Sequence, residues 1–180
     1  MRRRTFLKTA MGASAAAMMP AGWAEKPGAA WAKTWDAALA TLSGNVKSVP
    51  HFDHPVLFEG SSYRGTWQEC GPHESLAYAE LAEFVSPVSD RPSPLDVAKN
   101  THRAFFALQR EDGQIPANVK ASGIDWGMIQ MVVPIGATAW ETAQRSNDEA
   151  FLAEAYRACS RWDGWLRRYR DTRGTGLVGA

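Results

Sequence analysis

The chain has 180 residues, room for one domain of ordinary size and not for two. Hydrophobic residues at 45% and charged residues at 22% exclude bulk disorder. The formal charge of +1, from 20 basic and 19 acidic residues, lacks the basic surplus of a nucleic-acid-binding protein.

In chain order, Arg2-Arg3-Arg4-Thr5-Phe6-Leu7-Lys8 reads as a twin-arginine export signal: paired Arg, one spacer, Phe-Leu, then Lys. The run behind it, Thr9 to Met19, is too short and too mildly apolar to span a bilayer stably. Small residues in Gly22-Trp23-Ala24 place cleavage after Ala24. A basic amphipathic helix is the alternative, and the Phe-Leu-Lys after the arginines favours export. The expected destination is periplasmic or secreted, with the twin-arginine machinery as a partner and no stable membrane anchor after cleavage. Cleavage removes Arg2, Arg3, Arg4 and Lys8 and no acid, which turns the formal charge from +1 to −3.

Residues 25–55 then read as an N-terminal helix with an extended lead-in. Trp31, Trp35, Ala38, Leu39 and Leu42 fall at helical spacing before Gly44, predicting a helix over about 29–43. Pro50 and Pro55 make 46–58 extended or loop, with a short strand possible at Val56-Leu57-Phe58. A second helix is predicted from about Pro72 to Val85. The third has a Ser93 cap, Pro94 in its first turn and a stripe of Leu95, Ala98, His102, Phe105 and Leu108, and Gly113 ends it. Residues 114–134 read as irregular, and a fourth helix is predicted over 135–144. The fifth opens on the capping box Ser146-Asn147-Asp148-Glu149 and runs to Tyr169. Helices with little convincing strand predict an all-α architecture of αα-hairpins, with the domain proper spanning 56–180.

Aromatic usage is the unusual feature: 8 Trp against 4 Tyr and 7 Phe. Four polar stretches carry some of these rings. In Tyr63-Arg64-Gly65-Thr66-Trp67-Gln68-Glu69, two aromatics four apart sit beside an amide and a carboxylate. A flat ring suits the C–H face of a sugar, and amides and acids suit its hydroxyl edges; the same residues also fit a loop anchored to the core. Gln109-Arg110-Glu111-Asp112-Gly113-Gln114-Ile115-Pro116 is a polar helix end with a turn that suits positive φ at Gly113. Asp125-Trp126-Gly127-Met128-Ile129-Gln130 repeats the pairing of aromatic, acid and amide. The last runs from Trp162 to Gly174, with Trp162 read as core and Trp165 and the arginines as surface or cleft. His51 and His54 complete no metal-ligand spacing. No metal ligand is assigned among these residues, calcium dependence staying open, and with no phosphate loop, dinucleotide glycine pattern or nucleophile elbow no cofactor is expected. Cys70 and Cys159 are open between a disulfide and two free thiols.

Taken in order, Tyr63-Arg64-Gly65-Thr66-Trp67, the Gln109 to Pro116 stretch and Tyr169-Arg170-Asp171-Thr172-Arg173-Gly174-Thr175-Gly176-Leu177-Val178 resemble six-hairpin glycosidases, in particular mannosylglycerate hydrolase-like glycoside hydrolases. The resemblance spans 56–180. It implies the first part of an (α/α)6 toroid, incomplete in this chain, and hydrolysis of an α-linked glycoside or oligosaccharide by an inverting acid/base mechanism. It places the catalytic acid and base beyond Ala180, so that residues 25–180 alone are expected to be inactive. It also implies that Tyr63 and Trp67 line a sugar pocket which Gln68 or Glu69 approaches, with Asp112, Gln114, Trp126 and Gln130 as further substrate-binding candidates. The alternatives are a non-catalytic periplasmic carbohydrate-binding protein, a structural helical module, and a lyase or epimerase.

The export reading has a direct test. Replacing Arg3 and Arg4 together by Lys is expected to leave the full-length precursor in the cytoplasm. Undiminished mature protein in the periplasmic fraction would count against a twin-arginine signal.

Overall fold

The computed structural model describes residues 28–60, 62–86, 91–127 and 135–176. The chain divides into a stretch ending at Trp35 and a compact unit that begins at Asp36. Helix α1, Ala32–Gly44, has no fully buried residue, and Trp31 just before it is 67% exposed, not packed as its spacing suggested.

The expectation of an all-α fold is overturned. Of the described residues, 53% are helical and 14% lie in strands, which form two small antiparallel sheets among five α-helices. The structure is therefore mixed α/β. Strands β1, Val46–Val49, and β2, Phe52–Leu57, form a hairpin in which Val46 faces Leu57 and Val49 faces Phe52 across a bulge. Pro50 and Pro55 predict extended or loop structure here, with a short strand at Val56-Leu57-Phe58; the strand runs through Pro55. In a two-stranded sheet every strand is an edge, so a residue without an N–H is tolerated. The second sheet orders β3, Gly65–Trp67, beside β4, Asn118–Lys120, and then β5, Gly123–Asp125. Its strands are three residues long, too short to show alternation, and β3 finds its partner some fifty positions away.

The helices match expectation more closely. Helix α2 spans Gly71–Glu80, and a 3₁₀ turn at Ala82–Phe84 takes the place of its predicted last turn. Helix α3, Pro94–Ala107, starts where predicted: Ser93 Oγ accepts the Asp96 N–H at 3.1 Å. It buries Val97, Ala98, Thr101, His102, Ala104 and Phe105, and stops six residues short of Gly113. Helix α4 is Ile135–Ser146 and helix α5 is Glu149–Tyr169. The predicted capping box is displaced. Asp148, not Ser146, caps α5 by accepting the Phe151 N–H at 2.8 Å, and Ser146 Oγ instead donates back to Thr142 O at the end of α4. Asn147 turns the corner between them with φ of 47°.

The main core joins Val56 of β2, Ala104 and Phe105 of α3, Ile115, Val119 of β4, Ile135 and Ala139 of α4, and Phe151, Ala155, Ala158, Trp162 and Trp165 of α5. The buried α5 positions recur every three or four residues, the stripe of a helix lying on a core. Tyr156 falls off that stripe and is exposed, and Tyr169, the stripe's next position at the end of the helix, is exposed as well. His102 lies fully buried in this core, with Nδ1 at 2.8 Å from Ala98 O and Nε2 at 2.9 Å from Thr138 Oγ1. Burial pulls its pKa down to about 4, so it is neutral at physiological pH. Its role is packing.

Gly65 admits no side chain. A Cβ there would stand 2.5 Å from Val119 O and 2.7 Å from Lys120 Cα, both backbone atoms of the paired strand. Gly65→Ala is therefore expected to destabilise the protein by about 1–3 kcal/mol through overpacking. Chemical denaturation checks this; an unchanged midpoint would mean that β3 is not pressed against β4 as described.

Candidate functional site

The chain leaves β2 at Leu57 and enters a short loop whose course is set by two backbone ties. Glu59 N–H donates to Gly65 O at 2.9 Å, and Asn45 Nδ2 donates to Gly60 O at 2.7 Å. Gly60 has φ of 56°, which turns the loop back toward β3. Tyr63 and Trp67 thereby meet edge to face, with ring centroids 5.1 Å apart and planes at 77°. Beside them lies an open pocket of about 260 Å³ lined by Glu59, Gly60, Tyr63, Trp67, Glu69, Cys70 and Glu74. Tyr63 is 61% exposed and stands at its rim, while Trp67 is half-buried.

Glu59 was not singled out from the sequence, yet it is the most constrained group of the pocket. It is 8% exposed, and its Oε1 accepts the Trp67 N–H at 2.5 Å; the backbone of Gly71, at the start of α2, also favours its charge. One side chain thus holds the end of β3 beside the beginning of α2. Burial drives its pKa up, the two backbone donors hold it down, and Glu74 and Glu69 push it up again; the balance lies at about 7. Burial also raises Glu74. The Cys70 thiol is pushed to about 11, first by burial and then by the three glutamates, so it stays protonated near neutral pH. Cys70 and Cys159 are both free thiols.

The other predicted residues are placed differently. Gln68 is fully buried and does not line the pocket, and its amide has no hydrogen-bond partner among the described residues. Asp112 is a structural tie: Oδ1 accepts the Gln114 N–H at 3.0 Å, and Oδ2 accepts the Trp165 indole N–H at 3.1 Å. Gln114 accepts from Arg110 and donates to Trp126 O, and the Arg110 guanidinium lies 3.8 Å from the Trp126 ring centroid. Trp165, read as surface or cleft, is 8% exposed and stacked on Trp162 at 5.1 Å. Gly113 does take the positive φ expected of it, 102°. Gln130 lies outside the described residues.

The second sheet draws two of the polar stretches together. Trp67 pairs with Asn118 and Asn118 with Asp125, so one row across three strands carries an aromatic, an amide and a carboxylate. Gln68 N–H continues the ladder to Ala117 O. Among the described residues, the buried side-chain atoms without a partner are Thr66 Oγ1, both ends of the Gln68 amide and Asn118 Oδ1. All belong to this sheet or its immediate continuation. No group of three or more His, Cys, Asp or Glu among the described residues is arranged to hold a metal, and no described helix is long and apolar enough to cross a membrane. No family model matches the chain, and no curated protein does.

Because its folded pKa is raised, Glu59 holds its proton more tightly in the folded chain than in the unfolded one. It favours folding below the ordinary carboxyl value of 4.5 and opposes it increasingly as pH rises to about 7. His102 acts in the opposite sense, costing stability as pH falls through 6.5 toward 4. Comparison of Glu59→Gln with the wild type cancels the His102 contribution. The Tm of the variant minus that of the wild type is expected to become more positive as pH rises between 4.5 and about 7. A difference independent of pH would show that Glu59 does not titrate in that window.

Proposed function

We propose that the pocket of Glu59, Tyr63, Trp67, Glu69 and Glu74 binds a sugar ring, and that the chain works within an exported glycoside hydrolase acting on an α-linked glycoside. The observation that carries the binding reading is the perpendicular Tyr63–Trp67 pair opening beside carboxylates in one pocket. An aromatic face and hydroxyl-accepting edges are the two components that a sugar ring requires. At about 260 Å³ the pocket is slightly smaller than the ~300–1,000 Å³ of drug-sized ligand sites, a size suited to one ring rather than a long chain.

Hydrolysis with inversion rests on the resemblance of the ordered motifs. The pocket carboxylates are assigned to binding, and no catalytic pair is assigned among them. The same pocket, with no catalytic pair assigned in it, also suits a second reading: a non-catalytic periplasmic carbohydrate-binding protein.

Trp67→Ala in the full chain is expected to weaken oligosaccharide binding by about tenfold or more, read by calorimetric titration. Folding of the variant is verified by circular dichroism. Binding unchanged by the substitution would remove Trp67 from the pocket assignment. Release of reducing sugar with inverted configuration separates the hydrolase from the binding protein.

A further inference from the structure

The charge of the pocket bears on which sugars it admits. Three of its seven lining residues are glutamates, and none is Lys, Arg or His. They come from three separate elements: Glu59 from the loop after β2, Glu69 from the turn after β3 and Glu74 from the first turn of α2. Convergence of this kind is not the solvated acidic face of one helix. The positive feature nearby is the N-terminus of α2, where free N–H groups would ordinarily welcome an anion. Glu59 already lies against it, with the Gly71 backbone favouring its charge, and Glu74 stands in the same turn. An anionic ligand entering here would find no counter-charge among the lining residues. A ligand cation would find three carboxyl groups and two aromatic rings.

We infer that this pocket selects its glycosyl unit by charge, taking an ammonium-bearing amino sugar most tightly, a neutral sugar next, and rejecting a uronate or sugar phosphate. The inference rests on the sugar-binding reading and adds the class of sugar to it. Glu69 and Glu74 are the specificity-determining residues. Glu59 reinforces them when ionised and also holds the wall in place. Desolvated like charges at close range are the physical means of rejection, since an interface discriminates as much by repelling the wrong ligand as by holding the right one.

The experiment uses the full chain and a charge series on one ring: glycosides that differ only in carrying an ammonium, a hydroxyl or a carboxylate, in both gluco and manno configurations. Binding is measured by calorimetry at low salt, above pH about 7 where Glu59 is ionised. The amino sugar is expected to bind on the order of tenfold or more tighter than the uronate, with the neutral sugar between them. The gap is expected to shrink with added salt and in the double variant Glu69→Gln, Glu74→Gln, which leaves the Glu59 tie intact. A uronate bound as tightly as the neutral sugar overturns the inference, as does a gap of the same size in the double variant. Neutral binding without the expected order leaves the sugar-binding reading standing and removes only charge selection. Failure of every member of both series to bind removes both.

Discussion

The pairing of Gly65–Trp67 with Asn118–Lys120 is the constraint on which the site depends. It joins segments some fifty residues apart, and it works only because Gly65 lets the two backbones approach more closely than any side chain would allow. With that ladder in place, the Tyr63–Trp67 pair has a rigid floor and Gln68 is drawn inward. The loop from Gln109 to Pro116 is tied on its other side to α5, where Trp165 and Arg168 hold the side chain and carbonyl of Asp112. The site sheet and the helical core are thus mechanically continuous through Val119 and Ile115.

In Glu59 a structural tie and the wall of the candidate pocket coincide. A carboxylate buried against two backbone donors ordinarily has a low pKa, because both donors favour its charge. Here burial and two neighbouring glutamates outweigh them, so the tie is made by a group that is partly protonated near neutrality. Such an arrangement costs stability and is commonest where a surface is shaped for a ligand rather than for folding. The unpartnered atoms of Thr66, Gln68 and Asn118 belong to the same economy: the described part of the main core leaves none, and the site sheet holds all of them.

Residues with the same sequence credentials separated in three dimensions. Trp67 and Asp112 both sat in polar, aromatic-rich stretches, yet Trp67 lines a pocket and Asp112 locks a turn beneath Trp165. Glu59 had no signal beyond following an apolar strand, since a single Glu before Gly reads as a solvated loop. What marks it is its burial beside the end of β3, where it accepts the Trp67 N–H, and no local pattern encodes that. The resemblance to glycoside hydrolases drew attention to Tyr63, Trp67 and Glu69, which the structure brings to one pocket, and to Gln68, which it buries elsewhere.

Read alone, the sequence determined the helices whose signals are local: the start of α3 from the Ser93 cap with Pro94, the apolar repeat of α5, and the position of α4. It also determined the positive φ of Gly113, because turn chemistry is a property of adjacent residues. Only the tertiary structure decided the fold class, since strands of three residues carry no periodicity and exist through partners far along the chain. Tertiary structure likewise decided which polar groups face a pocket and which are spent on internal bonds. That choice depends on burial and on donors supplied from other elements, which spacing along the chain does not contain.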